Sequence, residues 1–330
     1  MTNKPIGGYF SLETNSGKEL HANAIHLNAG RYALEYILKA RRYRKIYIPY
    51  YICESVLQPI LRLGVEYEFY HINEQLEPAA KLYPADDEAI LYVNYFGLKD
   101  NYINTFCNTY RNIILDFTQA FYSKPIDNSK EGFQCDTFYS CRKFFGVSDG
   151  AYLYTNCQLQ EDLPQDESFE RMTYLMKRID RSPQEAYEDF HANDKSLSLV
   201  GLRSMSKLTE TIMHGIDYTA KANRRNHNFR ILDEALGAVN RFKWVMNRNM
   251  VPLVYPYYVK NGAQLRQYLI NNQIFCARYW PNVYEWCTPE DMEYEFTENI
   301  VCIPIDQRYQ EEDMERIIEI IKYNYGNSAI

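Results

Sequence analysis

Apolar residues recur along the first half of the chain at two spacings, which predict helices alternating with strands. Residues 29–42 place apolar side chains on one helical face, with Asn28 as the predicted N-cap. That face consists of Tyr32, Ala33, Tyr36, Ile37 and Ala40. Two more helices are predicted at 54–64, which ends in a glycine, and at 101–111. Apolar or alternating runs predict strands at 45–51, 66–72, 88–97, 112–116, 136–140 and 150–155.

The second half of the chain lacks this regular alternation. A charged stretch at 158–195 is predicted to form surface helix and loop, whereas 204–236 carries a long helical pattern. Further strands and helices are predicted in turn at 251–259 (strand), 262–272 (helix), 274–280 (strand), 300–305 (strand) and 311–325 (helix). This mixture predicts a smaller α+β lobe.

Strands that alternate with helices of this length predict βαβ units, and therefore an α/β fold with a mostly parallel sheet covered on both faces. We expect a large α/β domain over residues 15–215 and a small α+β domain over 216–330, with residues 1–14 packing on the small domain. Ligands of such sheets bind at the carboxyl ends of the strands. Candidate catalytic residues are therefore sought at that edge.

Composition narrows the class of function. The 330 residues carry a formal net charge of −7, whereas nucleic-acid binding requires basic patches, so no nucleic-acid partner is predicted. No apolar run approaches the roughly 18 residues of a membrane span, and the N-terminus lacks the apolar core of a signal peptide. The eight cysteines show no zinc spacing, which predicts free thiols, no metal and a soluble cytoplasmic protein.

Asp116, Gln119 and Lys143 are the candidate functional residues at this sheet edge. Asp116 ends a predicted strand, Gln119 comes three residues later, and Lys143 follows the next strand. An aspartate–lysine pair suits pyridoxal 5′-phosphate (PLP), because the lysine amine forms a Schiff base with the aldehyde and the carboxylate keeps the pyridine nitrogen protonated. Each residue also has an ordinary interpretation, since the aspartate could cap a turn and the lysine could extend to the surface.

The stretch LNAGRYAL at 27–34 supplies a helix N-terminus for a phosphate group. Gly30 lets the backbone approach closely, and the free N–H groups of Gly30 and Arg31 could bind a phosphate without a cationic side chain. Ser140 could add a hydroxyl group and Arg142 a charge. A plain helix cap is the alternative for this stretch.

The order of these motifs resembles the DegT/DnrJ/EryC1/StrS family, the PLP-dependent sugar aminotransferases of fold type I. The resemblance covers residues 24–155 and continues more faintly through 202–213, 278–281 and 302–318. The matching stretches are LNAGRYAL, IYIPYYICESVLQPILRLGVEYEFYHI, AILYVNYFG, IILDFTQAFY and FYSCRKFFGVSDGAYL. The resemblance implies the fold-type-I architecture, with a smaller C-terminal lobe.

The resemblance also implies roles for individual residues. Lys143 would be the Schiff-base lysine and proton shuttle, Asp116 would pair with the pyridinium nitrogen, and Gln119 would lie near the phenolic oxygen. The backbone N–H groups of residues 30–31 would bind the phosphate. Tyr51 lies in the segment that packs over the ring and is the candidate for stacking.

Three positions depart from the family pattern. Phe138 stands where the family commonly has a phosphate-binding serine, so Ser140 is the candidate in its place. Leu202 stands where the family often has an asparagine that reaches the partner subunit's cofactor. Arg278 stands where the family has a substrate histidine, and we take Arg278 and Tyr279 as candidate substrate-binding residues.

These observations predict a PLP-dependent aminotransferase that moves an amino group from an amino acid, with glutamate as the expected donor, to a nucleotide-linked keto-sugar. The resemblance implies a homodimer with shared active sites and a product for surface polysaccharide or lipopolysaccharide biosynthesis. The alternatives are sugar dehydration, for which histidine typically replaces the lysine, and a regulatory PLP-binding protein without turnover. A nicotinamide-dependent Rossmann enzyme is excluded because no GxGxxG follows the first strand.

Overall fold

A computed structural model describes residues 7–127, 133–247 and 250–325, and its centre is a seven-stranded sheet. The strands are β1 (Ile25–Leu27), β2 (Lys45–Pro49), β3 (Glu66–Tyr70), β4 (Glu88–Val93), β5 (Asn112–Asp116), β6 (Gln134–Ser140) and β7 (Ala151–Tyr154). They lie in the order β1-β7-β6-β5-β4-β2-β3, and among the described strands of this sheet β7 alone runs in the opposite direction to the other six. The predicted α/β fold with a mostly parallel sheet is confirmed.

Helices connect and cover these strands. They are α1 (Gly30–Arg41), α2 (Leu57–Leu63), α3 (Asp100–Thr109), α4 (Thr173–Asp180), α5 (Tyr187–Ser196), α6 (Lys207–His214) and α7 (Tyr218–Leu236). Every residue of β4 is buried, as are the last four residues of β5. Since successive side chains point to opposite faces, both faces of the sheet centre are covered, which explains the continuous apolar runs in these strands.

A second, two-stranded antiparallel sheet pairs β8 (Tyr255–Tyr258) with β9 (Ile300–Ile303). Its accompanying helices are α8 (Gly262–Asn271), α9 (Val283–Trp286), α10 (Met292–Asn299) and α11 (Glu311–Glu319), the last continuing as a π-helical segment at Ile320–Tyr325. The predicted boundary at 215/216 falls between α6 and α7, and the two-domain division stays a prediction.

The N-terminal segment was predicted to pack on the small domain over residues 1–14. Residues 1–6 lie outside the described part of the chain, and residues 7–14 are exposed to solvent. The rings of Tyr9 and Phe10, at 99% and 97% exposure, make almost no contact with the chain.

No helix in the described ranges has the length and apolar character needed to cross a bilayer.

The predicted cap of α1 is wrong by one residue. Ala29 occupies the N-cap position, with extended backbone and no side-chain hydrogen bond to the helix. The Asn28 side chain turns away and donates instead to the Gly201 carbonyl (2.8 Å). This asparagine therefore joins the start of α1 to a distant loop and leaves the first amides of the helix uncapped.

Two predicted elements of the second half are also wrong. The helical pattern at 204–236 divides into α6 and α7, because Asp217 caps a new helix by accepting from the Ala220 amide (2.9 Å). Residues 274–280 form an irregular segment with a single bridge to β9, and Trp280 has a left-handed backbone with φ of 58°. Alternating burial in this segment produces the strand-like pattern without strand pairing.

A buried ion pair fixes α1 against the sheet. Arg41, in the last turn of α1, donates from Nε to Asp136 Oδ2 (3.0 Å) and from Nη2 to Oδ1 (2.7 Å). Asp136 lies in β6 and has no solvent exposure. Its carboxylate therefore depends on this two-point contact, which sets the position of α1 and of the helix N-terminus at the other end.

Candidate active site

Asp116, Thr118 and Lys143 meet at the carboxyl ends of two adjacent strands. Asp116 is the last residue of β5, and Lys143 lies in the turn that follows β6. Because β5 and β6 are parallel, both segments leave the sheet at the same edge. Lys143 Nζ donates to Thr118 Oγ1 (2.8 Å), and the Thr118 amide donates to Asp116 Oδ1 (2.8 Å). One threonine therefore connects the amine to the carboxylate.

The protein environment moves both charged groups toward their neutral forms. Asp116 is 6% exposed, and burial raises the pKa of its carboxyl, an effect that the Lys143 charge opposes. Lys143 keeps access to solvent, yet the surrounding protein lowers the pKa of its amine, and Asp116 opposes that shift. The amine therefore loses its proton more readily than an exposed lysine does, as a nucleophile or proton acceptor requires.

Gln119 presents an unused hydrogen-bond donor in the interior. Its side chain is fully buried, and its Oε1 accepts from the Phe96 amide (2.8 Å). Its Nε2 has no partner among the described residues. The adjoining loop needs Gly97, which has φ of +75° and where a Cβ would lie 2.9 Å from the Gln119 carbonyl oxygen. A ligand oxygen would satisfy the buried Nε2.

The first turn of α1 offers free backbone donors beside this group. The amides of Gly30 and Arg31 donate to no acceptor within the described ranges. A Cβ on Gly30 would lie 3.2 Å from Thr118 Cγ2, so the helix start packs directly against the residue that binds Lys143. The same Cβ would lie 3.8 Å from the Phe138 ring. Free amides at the start of a helix form an anion-binding site.

Ser140 ends β6 at the same edge of the sheet and is 6% exposed. Beyond the Lys143 turn, the fully buried Asp149 accepts hydrogen bonds from Arg171 and Thr209. These contacts anchor the turn to the segment that precedes α4 and to α6. The position of Lys143 is therefore fixed by its own strand and by the loop that follows it.

The other side of the turn is held through the backbone of Phe144. Its carbonyl accepts from Gln307 Nε2 (2.7 Å) and from Arg225 Nη2 (3.4 Å). Arg225 is 2% exposed and also donates to the Leu253 carbonyl (3.0 Å) and to Gln307 Oε1 (3.0 Å). A buried arginine thus joins the residue next to Lys143 to the segments that flank β8 and β9.

A cavity of about 460 Å³ opens beside Lys143. Its cationic lining consists of Arg142, Lys143, Arg178, Arg225 and Arg308. Asp306 is the one carboxylate in the described lining, and Arg308 binds it at 2.7 and 2.8 Å. Aromatic walls are formed by Tyr174, Tyr187 and Phe190. The cavity therefore carries excess positive charge, although the chain as a whole has a net charge of −7.

No protein-family model and no curated protein matches this sequence, but solved structures match its fold. The aminotransferase TlmJ from Streptoalloteichus hindustanus has a TM-score of 0.63 at 14% identity, covering 93% of this chain and 87% of TlmJ. The PLP form of Spr1654 from Streptococcus pneumoniae, assigned as a sugar aminotransferase, gives 0.61 at 15% identity over 92% and 88% of the two chains. The chain has the fold of these solved aminotransferases. A DegT DnrJ EryC1 StrS aminotransferase from Brucella abortus gives 0.58 at 18% identity over 91% and 85%.

Three of the predicted residues have no hydrogen bond to the Lys143, Thr118 and Asp116 group, and their described contacts are with other side chains. Tyr51 is 1% exposed, and its ring packs edge-on against Trp280 with centroids 4.6 Å apart. Arg278 lies 3.6 Å from Glu298 in an ion pair, and Tyr279 packs beside Trp280. None of the three belongs to the described cavity lining, and neither do Asp116, Gln119, Gly30, Arg31 and Ser140. Stacking by Tyr51 and substrate binding by the other two stay predictions.

The positions that depart from the family pattern serve packing and backbone contacts in this fold. Phe138 is 2% exposed, and its ring lies beside Gly30. Leu202 packs against the hydrophobic core, and the neighbouring Arg203 carbonyl accepts from the Asn28 amide (3.1 Å). The phosphate-binding serine and the cross-subunit asparagine of the family therefore have no direct equivalent at these positions.

Sequence reasoning missed several residues of the site. Thr118 lies in the stretch DFTQ between Asp116 and Gln119, and its polar side chain beside two candidate residues was the available signal. Arg225 and Gln307 carry no local signal, because their acceptors include backbone carbonyls far away along the chain. Only the folded arrangement reveals them.

A second group of polar side chains lies away from the cavity. Potential metal-ligand atoms of His71, Asp291 and Glu293 all lie within 4.8 Å of one another. Glu293 is fully buried and accepts from the Ile72 amide (2.6 Å), with His71 Nδ1 at 3.2 Å. These contacts tie the segment after β3 to α10. His71 lies more than 200 positions before Asp291 and Glu293 in the sequence, so no rule based on residue spacing could identify the group.

Proposed function

We propose that this chain is a PLP-dependent aminotransferase that transfers an amino group from an amino acid to a keto-sugar. The observation that carries the proposal is the connected Lys143, Thr118 and Asp116 group at the carboxyl edge of the sheet. The fold supports it, since solved proteins that share it include Spr1654 from Streptococcus pneumoniae and CalS13 from Micromonospora echinospora, both named as sugar aminotransferases.

The residues present fit PLP. Lys143 would take the aldehyde, and the buried Asp116 carboxylate would hold the pyridine nitrogen. Gln119 Nε2, which has no partner among the described residues, would donate to the phenolic oxygen. The free amides of residues 30–31 would bind the phosphate. Bound PLP would supply an aldehyde for amine exchange and a ring that accepts electrons from a developing carbanion.

The residues of the chain supply positioning and proton transfer. Thr118 orients the Lys143 amine, and the surrounding protein makes the neutral amine easier to form. That amine could then accept a proton from the donor's α-carbon and return it to a neighbouring atom as the general acid. A negative charge on the buried Asp116 would stabilise a protonated ring nitrogen, and that ring charge would in turn favour the carboxylate form of Asp116.

The charge of the cavity supports anionic substrates. Five cationic side chains face one carboxylate in its described lining, and Arg308 already binds that carboxylate. Glutamate brings two carboxylates, and a nucleotide-linked keto-sugar brings a diphosphate and a base that Tyr174, Tyr187 and Phe190 could stack against. We therefore propose glutamate as donor and a nucleotide-linked keto-sugar as acceptor.

Two remaining parts of the proposal rest on the family resemblance: a homodimer with shared active sites, and a product for surface polysaccharide or lipopolysaccharide biosynthesis. A cytoplasmic location is proposed from the eight cysteines predicted to be free thiols. An amino sugar is the product that such a reaction would deliver. Sedimentation or light scattering of the purified chain tests the dimer directly.

The visible absorption spectrum with added PLP, before and after excess glutamate, tests the proposed function. We expect a yellow band that bleaches with glutamate in the wild type and is absent in Lys143→Ala. Lys260→Ala is the matched control, because Lys260 is exposed and outside the described cavity lining. No band in the wild type would refute PLP binding, and a band that persists with every amino acid tested would refute amino transfer.

The acceptor is tested with the bleached protein. Keto-sugars with and without a nucleoside diphosphate are added, and return of the yellow band reports amino transfer. Recovery with the nucleotide-linked compounds alone would support the proposed substrate class. Equal recovery with the free keto-sugars would contradict the role assigned to the cationic cavity.

A further inference from the structure

Arg142, the residue before Lys143, already holds an anion in the free chain. Its Nη1 donates to Asp194 Oδ1 (2.6 Å), and Asp194 lies in α5. The Arg142 side chain is 18% exposed, whereas that of Asp194 is 51% exposed. The arginine is therefore fixed in the site while its carboxylate partner lies at the solvent boundary and can be replaced by another anion.

The segment around Asp194 is attached to the expected phosphate site from two directions. Asn193 is buried, and its Nδ2 donates to the Ser148 carbonyl (2.9 Å) in the loop after Lys143. The Tyr32 hydroxyl, in the first turn of α1, donates to the Leu197 carbonyl (2.7 Å). Asp194 is thus held between the Lys143 turn and the helix start whose amides are free.

The electrostatics agree with this placement. Burial alone would raise the pKa of Asp194, but Arg142 and Arg31 together hold it below its usual value. Arg31 is the second residue of α1. The carboxylate therefore lies in the field of two arginines, one from the Lys143 turn and one from the helix N-terminus, as a phosphate at this helix start would.

The serine that commonly binds the cofactor phosphate in the related family is replaced by phenylalanine in this chain. Phe138, where the related family has a serine, puts its ring next to Gly30 and offers no hydrogen bond. A phosphate group that carries close to two negative charges needs a strong partner, and a guanidinium group supplies paired donors and a full charge. Arg142 is the cation nearest to Lys143 in sequence and already faces an anion.

We propose that Arg142 binds the phosphate group of the cofactor, and that Asp194 occupies this arginine until the phosphate displaces it. This inference rests on the proposed function. It assigns a side-chain contact to the phosphate, in addition to the helix amides, and it makes Asp194 a built-in competitor for cofactor binding.

The proposal is tested by titrating the full-length chain with PLP and with pyridoxal, which lacks the phosphate. The visible absorption band reports the affinity for each compound, so the test does not depend on turnover. Arg142→Gln should weaken PLP binding by about 10- to 100-fold, the range for a charge-assisted hydrogen bond, and change pyridoxal binding less than about 2-fold. Asp194→Asn should tighten PLP binding by about 3- to 10-fold, because an exposed competing carboxylate is removed, and leave pyridoxal unchanged.

Matched controls separate this effect from general damage to the helices. Glu188→Gln removes a charge from the exposed surface of α5, and Arg181→Gln removes an exposed arginine that pairs with Glu185. Both should bind PLP and pyridoxal as the wild type does. Inorganic phosphate should raise the melting temperature of the free Asp194→Asn chain more than that of the wild type, which tests the same site without PLP.

The outcomes distinguish this inference from the proposed function. Suppose that the wild type shows the band with PLP, and that Arg142→Gln loses affinity for PLP and for pyridoxal by the same factor. This result would overturn the inference and leave the proposed function standing. Unchanged or weaker PLP binding in Asp194→Asn would also overturn it. No band with either compound in the wild type would refute the proposed function, and this inference with it.

Discussion

Replacing Asp116 with asparagine should lower the pKa of Lys143 further. The substitution preserves the size of the side chain and removes the charge that opposes the effect of the surrounding protein on the lysine. The Thr118 amide can still donate to an asparagine oxygen, so the local hydrogen bond is retained. The change therefore isolates one electrostatic interaction.

The magnitude is estimated from Coulomb's law for two charged groups that one threonine connects, and from the solvent access of Lys143. Opposite charges about 4 to 7 Å apart interact by about 2 to 4 kcal/mol at an effective permittivity of ~20. Lys143 is accessible to solvent, and screening reduces this to about 1 to 2 kcal/mol. Removing an interaction of this size should lower the pKa of Lys143 below its value in the wild type.

Competitive labelling of the free chain with trace acetic anhydride measures this pKa directly. The label on the Lys143 peptide is followed by mass spectrometry across a pH series and normalised to the exposed Lys260. Asp100→Asn is the control, because Asp100 is partly buried and accepts hydrogen bonds from the uncharged Ser123 (2.7 Å) and Asn94 (2.6 Å). An unchanged or higher pKa of Lys143 in Asp116→Asn would refute the reasoning, as would an equal shift in the control.

Three further predictions concern stability. Arg41→Met should lower the free energy of unfolding in urea by about 3 to 5 kcal/mol, because it leaves the buried Asp136 carboxylate unpaired, whereas Arg181→Met should cost less than about 1 kcal/mol. Gly97→Ala should cost about 1 to 3 kcal/mol in the same assay, because of its φ of +75° and the 2.9 Å approach to the Gln119 carbonyl; a neutral result would mean that this loop relaxes. Burial lowers the pKa of His21 from 6.5 to about 4. The contribution of the neutral imidazole to the free energy of unfolding is therefore complete above pH 6.5 and decreases by about 3 kcal/mol as the pH falls to 4. His21→Gln should flatten this part of the curve of unfolding free energy against pH, and an unchanged slope would contradict the prediction.

The parts of the site that could be predicted from the sequence are those set by local patterns. Asp116 and Lys143 each follow an apolar run, and the register of parallel strands brings such residues to one edge whatever the side chains between them are. Gln119 could be predicted as well, because it lies three residues after Asp116 in the same loop. Alternating strands and helices were sufficient to predict the sheet.

The parts that could not be predicted depend on contacts between distant segments. Arg142 and Asp194 are separated by 52 positions, and nothing in the charged stretch that contains Asp194 marks one carboxylate above the others. The error at residues 274–280 has the same cause. Burial of Cys276 and Trp280 beside the exposed Phe275 imitates strand alternation, although tertiary packing and not pairing produces it.

The tolerance of packed strands to apolar substitution explains how this chain can share a fold with solved aminotransferases at 14 to 18% identity. For the proposed function, the sheet edge would need only a carboxylate, an amide and an amine at three backbone positions, and the strands that present them tolerate any apolar sequence that packs. Anion recognition is less constrained, because a hydroxyl, a helix amide or a guanidinium group can each bind a phosphate. Under the proposed function, the excess of cationic side chains around the cavity, within an acidic protein, would let guanidinium groups supply much of that anion binding. Substrate and cofactor binding should therefore weaken with rising salt more steeply than in a relative that relies on hydroxyl groups, while the chemistry at Lys143 is unaffected.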